Sequence, residues 1–554
     1  AFDLLMGVFV KPSFWLLAIH YVIALCFISF SDAKEHSFTQ ASDTVPKRVA
    51  IIGAGAGGAS TAYSLRKYAD ASPILVNITV FERNSYVGGR STTVNVLEHP
   101  AYPVELGASI FVKVNYNLMN ASKELGLFVD SADATRPKQA DDSIGVWDGK
   151  QFVSVLQNNS WWNIPKLLWR YGWAPIRTQS LMKSTVNKFL KLYEEPMFPF
   201  RSLTAAAAAV GLLDSTSTPG DVFLKENKIS PDFSRDIIQA STRVNYGQNL
   251  GLIHGLETMV CMATEGAVSI KGGNWQIFHG MLKAAQADVR LNHTVTSIQR
   301  NADNTLTLTY KANNSKEQKL VFDEVVIAGP LQYSELSITP PAEKQPDEVP
   351  FVTLHVTLFS SPHKLSPKFF NIHEANAQTP ETILTTVPSG LDLGSEKAGV
   401  GPAGFWSIST LRTVDHPPVS PDGKPSKHYV YKVFSPERLS ADFVTSILGL
   451  ESPSDPVKNN NLTISDLSKQ DISWHHEKIW NPYPFLYPRV TFEETLLSTN
   501  IWYTGGIESF ISTMETSALM GKNVATLLFQ SWQEQKEGTV EDDPVVGSGE
   551  RVEL

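Results

Sequence analysis

Cysteine is almost absent from this chain. Its 554 residues hold two. Cys26 falls in an apolar leader, which leaves Cys261 alone in the rest. That excludes an intramolecular disulfide and a cysteine metal site there. Positive charge is in deficit: 47 Lys and Arg stand against 56 Asp and Glu, a formal charge of −9. With no basic stripe to offset the deficit, nucleic acid is not an expected partner. Long apolar runs are missing except for one, Phe14 to Phe30. No Ser-His-Asp arrangement or metal-ligand spacing stands out, and the expected metal content is none. His475 and His476 are adjacent, but neighbours on a strand face opposite ways. A disordered composition is lacking too. The chain is 42% hydrophobic and 19% charged, which is globular, and it is long enough for more than one core.

What is present begins with the apolar run. Lys11 precedes it, and Ser31-Asp32-Ala33 follows. Residues 1–33 read as a secretory signal peptide, with a retained signal anchor as the alternative. Residues 34–46 read as a polar linker. Acceptor sequons occur at Asn77, Asn120, Asn158, Asn292, Asn313 and Asn461. Asn77 and Asn292 sit beside expected strands, so Asn120, Asn158, Asn313 and Asn461 are the expected glycosylation sites. Leader and sequons together point to the secretory route.

The chain is organised around Arg48-Val-Ala-Ile-Ile-Gly53-Ala54-Gly55-Ala-Gly57-Gly58. A short apolar strand runs into glycines at G-x-G-x-x-G spacing, which open a helix over Ala59 to Tyr68. A second strand, Ile78 to Phe81, ends in Glu82. Gly53 permits a tight turn, Gly55 lets backbone approach a pyrophosphate, and Gly58 lets helix and strand pack closely. The unpaired N–H groups of the helix N-terminus face the phosphates. Glu82 can accept both hydroxyl protons of an adenosine ribose. The order strand, glycines, helix, strand and acid specifies a dinucleotide site.

A second glycine turn, Gly88-Gly89-Arg90-Ser91, follows Arg83-Asn-Ser-Tyr-Val87. Arg90 can offer a cationic fork to phosphate or flavin oxygens. A nicotinamide domain does not require this turn. The stretch from Glu82 to Arg90 resembles the two-dinucleotide-binding-turn flavoproteins, the broad class of amine oxidases and their relatives. That resemblance implies FAD, held non-covalently, since the motifs offer no cysteine or histidine attachment point. It also implies a Rossmann-like FAD-binding α/β domain with a second, mixed α+β substrate domain.

A narrower resemblance rests on Arg243-Val-Asn-Tyr246-Gly-Gln248 and on the closing segment from Tyr483 to Ala525. Both look like the prenylcysteine oxidase (prenylcysteine lyase) family, over most of the chain from Arg48 to about Trp532. The resemblances imply cofactor contacts from Gly53, Ala54, Gly55, Gly57, Gly58, Glu82, Arg83, Gly88, Gly89, Arg90, Gly107, Ala108, Ser109, Val295, Gly506 and Glu515. Gly107 lets backbone approach a planar ring. Val295 would meet adenine through its backbone, although its residue type also suits a core position. Ser512 and Glu515 stand at capping-box spacing at the start of the last long helix. In this architecture the positive helix end points at the flavin pyrimidine. Asn245, Tyr246 and Gln248 are the substrate-side candidates. No catalytic side chain is assigned, because the flavin carries the redox step.

The domains follow from these segments. The FAD domain is expected from 47–124, 258–332 and 496–535. A mostly helical insertion is expected over 125–257 and an antiparallel substrate sheet over 333–495, with an acidic tail from 536 to 554. The insertion gathers Trp161, Trp162, Trp169 and Trp173, which suits a core, an apolar ligand pocket or a peripheral membrane contact. The family resemblance implies cleavage of farnesyl- or geranylgeranyl-cysteine with O₂ and water, giving cysteine, a prenyl aldehyde and H₂O₂. It also implies a place in the breakdown of prenylated proteins. The lysosome or vacuole is the expected location, with a secreted or membrane-anchored form as the alternative. Two rival functions stay open from the residues: another flavin amine or lipid oxidase, and a non-enzymatic lipid-binding protein on a flavin fold.

Overall fold

A computed structural model describes residues 45–540, apart from 133, 135–142, 158–162, 313–314, 375, 392–398, 418–424 and 453–460. The leader, most of the linker, nearly all of the acidic tail, Trp161, Trp162 and the sequons Asn158 and Asn313 lie outside the described residues. Asn120 and Asn461 are both exposed.

Strand Lys47–Ile52 is central to a six-stranded sheet. Its neighbours are Val76–Glu82 on one side and Glu324–Ile327 on the other, both parallel to it. Asp288–Leu291 extends one edge, and Ile501–Tyr503 with Leu496–Ser498 extends the other. The central strands are nearly continuous apolar runs because both faces are covered, one by helices and the other by a four-stranded sheet of His293–Arg300, Leu306–Ala312, Gln318–Phe322 and Ser337–Thr339. One such layer pairs the Ala56–Asp70 helix with the closing helix, Met514–Val540. Their crossing needs small residues: a Cβ on Gly521 would stand 2.2 Å from the Gly57 carbonyl oxygen. Ser60 Oγ donates to Ala518 O at 2.6 Å and Thr61 Oγ1 to Gly521 O at 3.2 Å across the same contact. The sheet therefore draws strands from widely separated segments, and the closing helix locks them together.

The second domain is a seven-stranded sheet, in spatial order Trp474–Trp480, Leu354–Ser361, Ser426–Ser435, Ser407–His416, Thr382–Thr385, Ser143–Trp147 and Phe152–Gln157. It corrects two expectations. Residues 143–157 belong to this sheet, so the helical part of the insertion starts at Asn163. The sheet is also mixed, because Thr382–Thr385 runs parallel to Ser143–Trp147. Ser143–Trp147 and Phe152–Gln157 form a hairpin whose turn lies at Asp148–Gln151, and polarity there does not announce which sheet the hairpin will join. Helices from Asn163 to Met262 cover the junction between the two domains. Their buried side chains Leu167, Tyr171, Met182 and Ile253 pack with Tyr246 and Leu486.

Candidate active site

The dinucleotide cradle is built from backbone. Gly53 has φ +111°, and a Cβ there would stand 2.7 Å from the Ala328 carbonyl oxygen. A Cβ on Gly58 would stand 2.0 Å from the Gly53 carbonyl oxygen. Gly55 is the N-cap of the Ala56–Asp70 helix, with no side-chain cap and no acid in the first turn. The first-turn N–H groups therefore keep their donor capacity. The nearest atoms to a Cβ on Gly55 belong to Gly89, 3.9 Å away, and Gly88. The two glycine turns thus face each other, tied by Gly88 N–H donating to Ala54 O at 3.0 Å. A positive helix end, open toward a glycine-lined surface, fits a pyrophosphate. Gly57 is different. Its missing Cβ makes room for Thr504 Oγ1, at 2.8 Å, and for the closing helix, so packing by itself already requires a glycine here.

Glu82 is buried at the end of its strand. Its Oε2 accepts from Ala54 N at 2.9 Å, and its Oε1 accepts from Asn84 N at 2.8 Å and Asn84 Nδ2 at 2.6 Å. A carboxylate has about four acceptor sites, so the protein takes three and leaves about one for a ribose hydroxyl. The expectation of two ribose bonds is corrected accordingly. Glu82→Ala removes a charge-assisted bond to ribose, on the order of 1.5–3 kcal/mol, and frees the Ala54 N–H that shapes the turn. The expected result is a loss of roughly tenfold or more in FAD affinity, read by flavin-fluorescence titration. Unchanged affinity would place the ribose acid elsewhere.

The second turn departs from expectation at Arg90. Its fork is closed on Glu508, with Nη1 to Oε2 at 2.7 Å and Nη2 to Oε1 at 2.6 Å. Nη1 also donates to Pro482 O at 2.6 Å. Arg90 therefore pins the second turn to the closing segment instead of offering its fork to phosphate. Arg83 Nη1 reaches Tyr333 O. Gly107 does face a planar ring, that of Trp480: a Cβ there would stand 2.9 Å from Cζ2. Ala108 holds φ +48°, an uncommon conformation for a residue with a side chain. Its carbonyl accepts from Asn274 Nδ2 at 2.8 Å. Buried Lys432 crosses from the substrate sheet and donates to Glu105 O at 2.8 Å and Ser109 Oγ at 3.1 Å. Gly506 lies against the Glu493 backbone, 2.9 Å from a would-be Cβ. The Val295 side chain is buried in the core with Phe81 and Tyr310, and its ladder shifts register between Val295 and Ser297.

The start of the closing helix is capped by a different pair than expected. Thr513 and Thr516 exchange bonds, with Thr516 N donating to Thr513 Oγ1 and Thr513 N to Thr516 Oγ1, both at 3.1 Å. Glu515 points away from Ser512 and caps another helix, Tyr116–Glu124. Its Oε1 accepts from Asn117 N at 2.9 Å and its Oε2 from Leu118 N at 3.0 Å, while Tyr193 OH donates to Oε1 at 2.9 Å. The i, i+3 spacing of Ser512 and Glu515 is a local signal, and a tertiary partner overrode it.

Around that helix start stand the motif residues. Tyr246 donates to Ser512 O at 3.1 Å and meets Tyr483 edge-on, with centroids 5.1 Å apart. Asn245 Nδ2 donates back to Ser241 O. Gln248 is corrected as a substrate residue: its Nε2 donates to Pro484 O at 3.0 Å and its Oε1 accepts from Leu486 N at 2.9 Å. Both ends are spent holding the 484–486 backbone. Arg243 opens the motif, and its role is structural. Its guanidinium is fully buried over the Trp406 ring, 4.6 Å to the centroid. It donates to Thr385 Oγ1, Asn249 Oδ1, Gly399 O and Val400 O, and makes no ion pair among the described residues. Burial brings its pKa down to about 9, so it stays a cation at neutral pH. Glu257, also unassigned, is fully buried facing the Tyr246 hydroxyl and the Ser512 backbone. Sequence offered no signal for either, since burial is decided by the far domain.

Burial pushes three carboxyls up: Glu105 and Glu257 to about 8 and Glu515 to about 7, from an ordinary 4.5. The folded chain keeps these protons while the unfolded chain has released them, so stability falls as pH rises from about 4.5 to about 8. Burial lowers His254 and His428 to about 4 from 6.5. They oppose the trend between those values and add nothing above them. The expected outcome is a Tm that declines from pH 6.5 to pH 8.5 in a thermal-shift series; a rise over that interval would contradict it.

A sequence model of the prenylcysteine lyase family matches residues 155–542, and one for NAD(P)-binding Rossmann-like domains matches residues 51–125. Prenylcysteine oxidase 1 of Mus musculus is 27% identical over 524 residues, covering 90% of this chain and 92% of that protein. Farnesylcysteine lyase of Arabidopsis thaliana is 26% identical over 524 residues, covering 92% and 93%. Among solved structures, a putrescine oxidase with a redesigned cofactor site superposes with a TM-score of 0.54 at 13% identity, over 88% of this chain and 99% of that one. That likeness shows the fold. The family match takes in the Arg243 to Gln248 motif, most of the substrate sheet and the closing helix, and with it the chain belongs to the prenylcysteine lyase family.

Proposed function

We propose that this protein is an FAD-dependent thioether oxidase that cleaves farnesyl- or geranylgeranyl-cysteine. The observation that carries the reading is the junction itself. The cradle formed by Gly53, Gly55, Gly58 and Glu82 lies in the same structure as an aromatic wall of Tyr246, Tyr483 and Trp480 at Gly107 and the closing-helix start. The family membership and the names of the relatives supply the substrate class. When bound, FAD supplies a two-electron acceptor that O₂ can reoxidise. The overall balance is thioether plus O₂ plus water to cysteine, prenyl aldehyde and H₂O₂.

The chain's own groups bind, orient and exclude water. The uncapped N-terminus of the Ala56–Asp70 helix and the facing glycine turns would hold the pyrophosphate, and Glu82 the ribose. Aromatic rings suit an isoprenoid chain, and the buried junction keeps bulk water from it. The carbon between sulfur and the prenyl double bond is allylic and flanked by a sulfur lone pair, so losing a hydride requires no prior deprotonation. This agrees with a site in which the buried carboxyls Glu257 and Glu515 are held toward their neutral forms.

Adding farnesylcysteine without oxygen is expected to bleach the flavin absorbance rapidly. Dideuteration at the allylic carbon should slow that bleaching with a primary isotope effect. Bleaching by amines alone would favour an amine oxidase, and a flavin that no prenyl thioether reduces would end the proposal. Flavin left on the chain after acid precipitation would overturn non-covalent binding. For location, the leader-like sequence and the exposed sequons at Asn120 and Asn461 support the secretory route and a lysosomal or vacuolar end point. Enzymatic deglycosylation that leaves the mass unchanged would count against it.

A further inference from the structure

The helices Asn163–Tyr171 and Ala174–Leu190 form a roof over the site. On its inner side, Leu167, Tyr171 and Met182 pack with Tyr246, while Phe189 and Leu192 pack with Phe510 and Ile511 just before the closing helix. The outer side has an unusual composition. Trp169 is 93% exposed and Trp173 is 67% exposed. A tryptophan buries a large apolar area when it is given a partner, and both of these face solvent. From Asn163 to Tyr193 the chain carries six Lys or Arg and no Asp or Glu, within a protein of net charge −9.

The arrangement is regular. Trp173, Arg177, Ser180, Ser184, Lys188 and Lys191 are spaced at three or four residues, which places them on one stripe of the second helix, and all six are exposed. Lys166 and Trp169, both exposed, stand three residues apart on the first helix. Arg170 is paired with Asp236 at 2.9 Å. Lys166, Arg177, Lys183, Lys188 and Lys191 make no ion pair among the described residues. Arg177 and Lys188 donate to the carbonyls of Lys228 and Gly211. Two exposed acids, Glu194 and Glu195, follow Tyr193 directly at the far end of this stripe, and Asp232 is paired with Arg235. No helix among the described residues is long and apolar enough to cross a membrane.

We infer that this roof docks on an anionic phospholipid bilayer, with Trp169 and Trp173 at headgroup depth and Arg177, Lys183, Lys188 and Lys191 against lipid phosphates. Indole rings suit the interface because one edge is apolar and the other donates a hydrogen bond. Basic side chains on an amphipathic face are drawn to anionic lipid. The rest of the molecule is acidic and repelled by the same surface, which selects the roof as the contact. This deepens the proposed reading, since it sets the roof of the site against the phase in which a prenyl chain dissolves.

The test uses vesicle flotation without substrate, so its failure is separable from failure of the oxidase reading. The full chain should float with phosphatidylcholine vesicles containing phosphatidylserine, at least tenfold more than with pure phosphatidylcholine vesicles. High salt should release it. Lys188→Glu with Lys191→Glu, and separately Trp169→Ser with Trp173→Ser, should each lower flotation by at least tenfold. Their Tm and their turnover of detergent-dispersed substrate should not change. Brominated lipid should quench tryptophan fluorescence less in the second variant. Equal flotation on both vesicle types, undiminished flotation of either variant, or no flotation at low salt, as for a face that binds an acidic protein, would overturn the inference.

Discussion

Gly58→Ala is expected to purify without FAD and in low yield. The added methyl would stand 2.0 Å from the Gly53 carbonyl oxygen and 3.1 Å from the Ile51 side chain. The oxygen belongs to backbone that is held in place, because Gly53 N–H donates to Phe81 O at 2.8 Å. Gly53 is itself hemmed in, since a Cβ there would stand 2.7 Å from the Ala328 carbonyl oxygen. Relief requires the helix to back away from the strand, and that opens the cradle and displaces the first-turn N–H groups. The expected readouts are loss of the flavin absorbance and a lower Tm in whatever folds. Gly126→Ala is the control. It has φ +66° and nothing within 4 Å of its would-be Cβ, so it should cost only about 1–2 kcal/mol of backbone strain and retain FAD. A yellow Gly58→Ala protein with wild-type Tm would show that the strand and helix do not meet as described.

Arg243→Ala is expected to be nearly as damaging, for a different reason. The guanidinium is the shared partner of Thr385, Asn249, Gly399 and Val400. Those groups come from the loop after the helix, the strand Thr382–Thr385 of the substrate sheet and the segment just before Gly401. Removing the fork leaves buried acceptors unpaired, at about 1–3 kcal/mol each where water cannot enter. It also leaves a cavity beside Trp406, and large-to-small changes in a core cost about 2–5 kcal/mol. Partial collapse and water entry reduce the sum, so the net expectation is on the order of 3–5 kcal/mol. Arg243→Lys should recover little, since one ammonium cannot serve acceptors on three sides. Chemical unfolding measures this directly, and a loss of less than about 1 kcal/mol, the size of an ordinary surface change, would show that the fork is dispensable. Because the charge has no acidic partner, Arg243→Met is the informative third variant. It keeps the stem packed on Trp406 and removes the buried cation, so it should fall between wild type and Arg243→Ala.

The chain's local signals were legible where geometry is local. The glycine spacing from Gly53 to Gly58 specified a turn, a helix start and a close packing contact, and each depends on residues a few positions apart. The aromatic-rich stretches Thr353 to Phe359, Gly404 to Leu411 and His428 to Phe434 read as strands for the same reason, and the structure places strands there at Leu354–Ser361, Ser407–His416 and Ser426–Ser435. Glu82 was legible as the terminal acid of its strand, though not its debt to Ala54 and Asn84. The clustering of Trp169 and Trp173 in the insertion was legible too, though not the basic side chains beside them.

What only the tertiary structure decided is the use to which side chains are put. Arg90 has the same fork in isolation whether it meets a phosphate or Glu508, and Glu508 lies 418 residues away. Glu515 has capping-box spacing to Ser512, yet the open end of the Tyr116–Glu124 helix, 398 residues away, takes its carboxylate. Gln248 is polar enough to bind a substrate, and the 484–486 backbone claims both of its ends. The burial that pushes the Glu105, Glu257 and Glu515 carboxyls up comes from packing against distant segments. A motif fixes which donors and acceptors are available and where they sit along the backbone. Which partner they take is a competition among all groups within a few ångströms, and those groups are assembled by the fold.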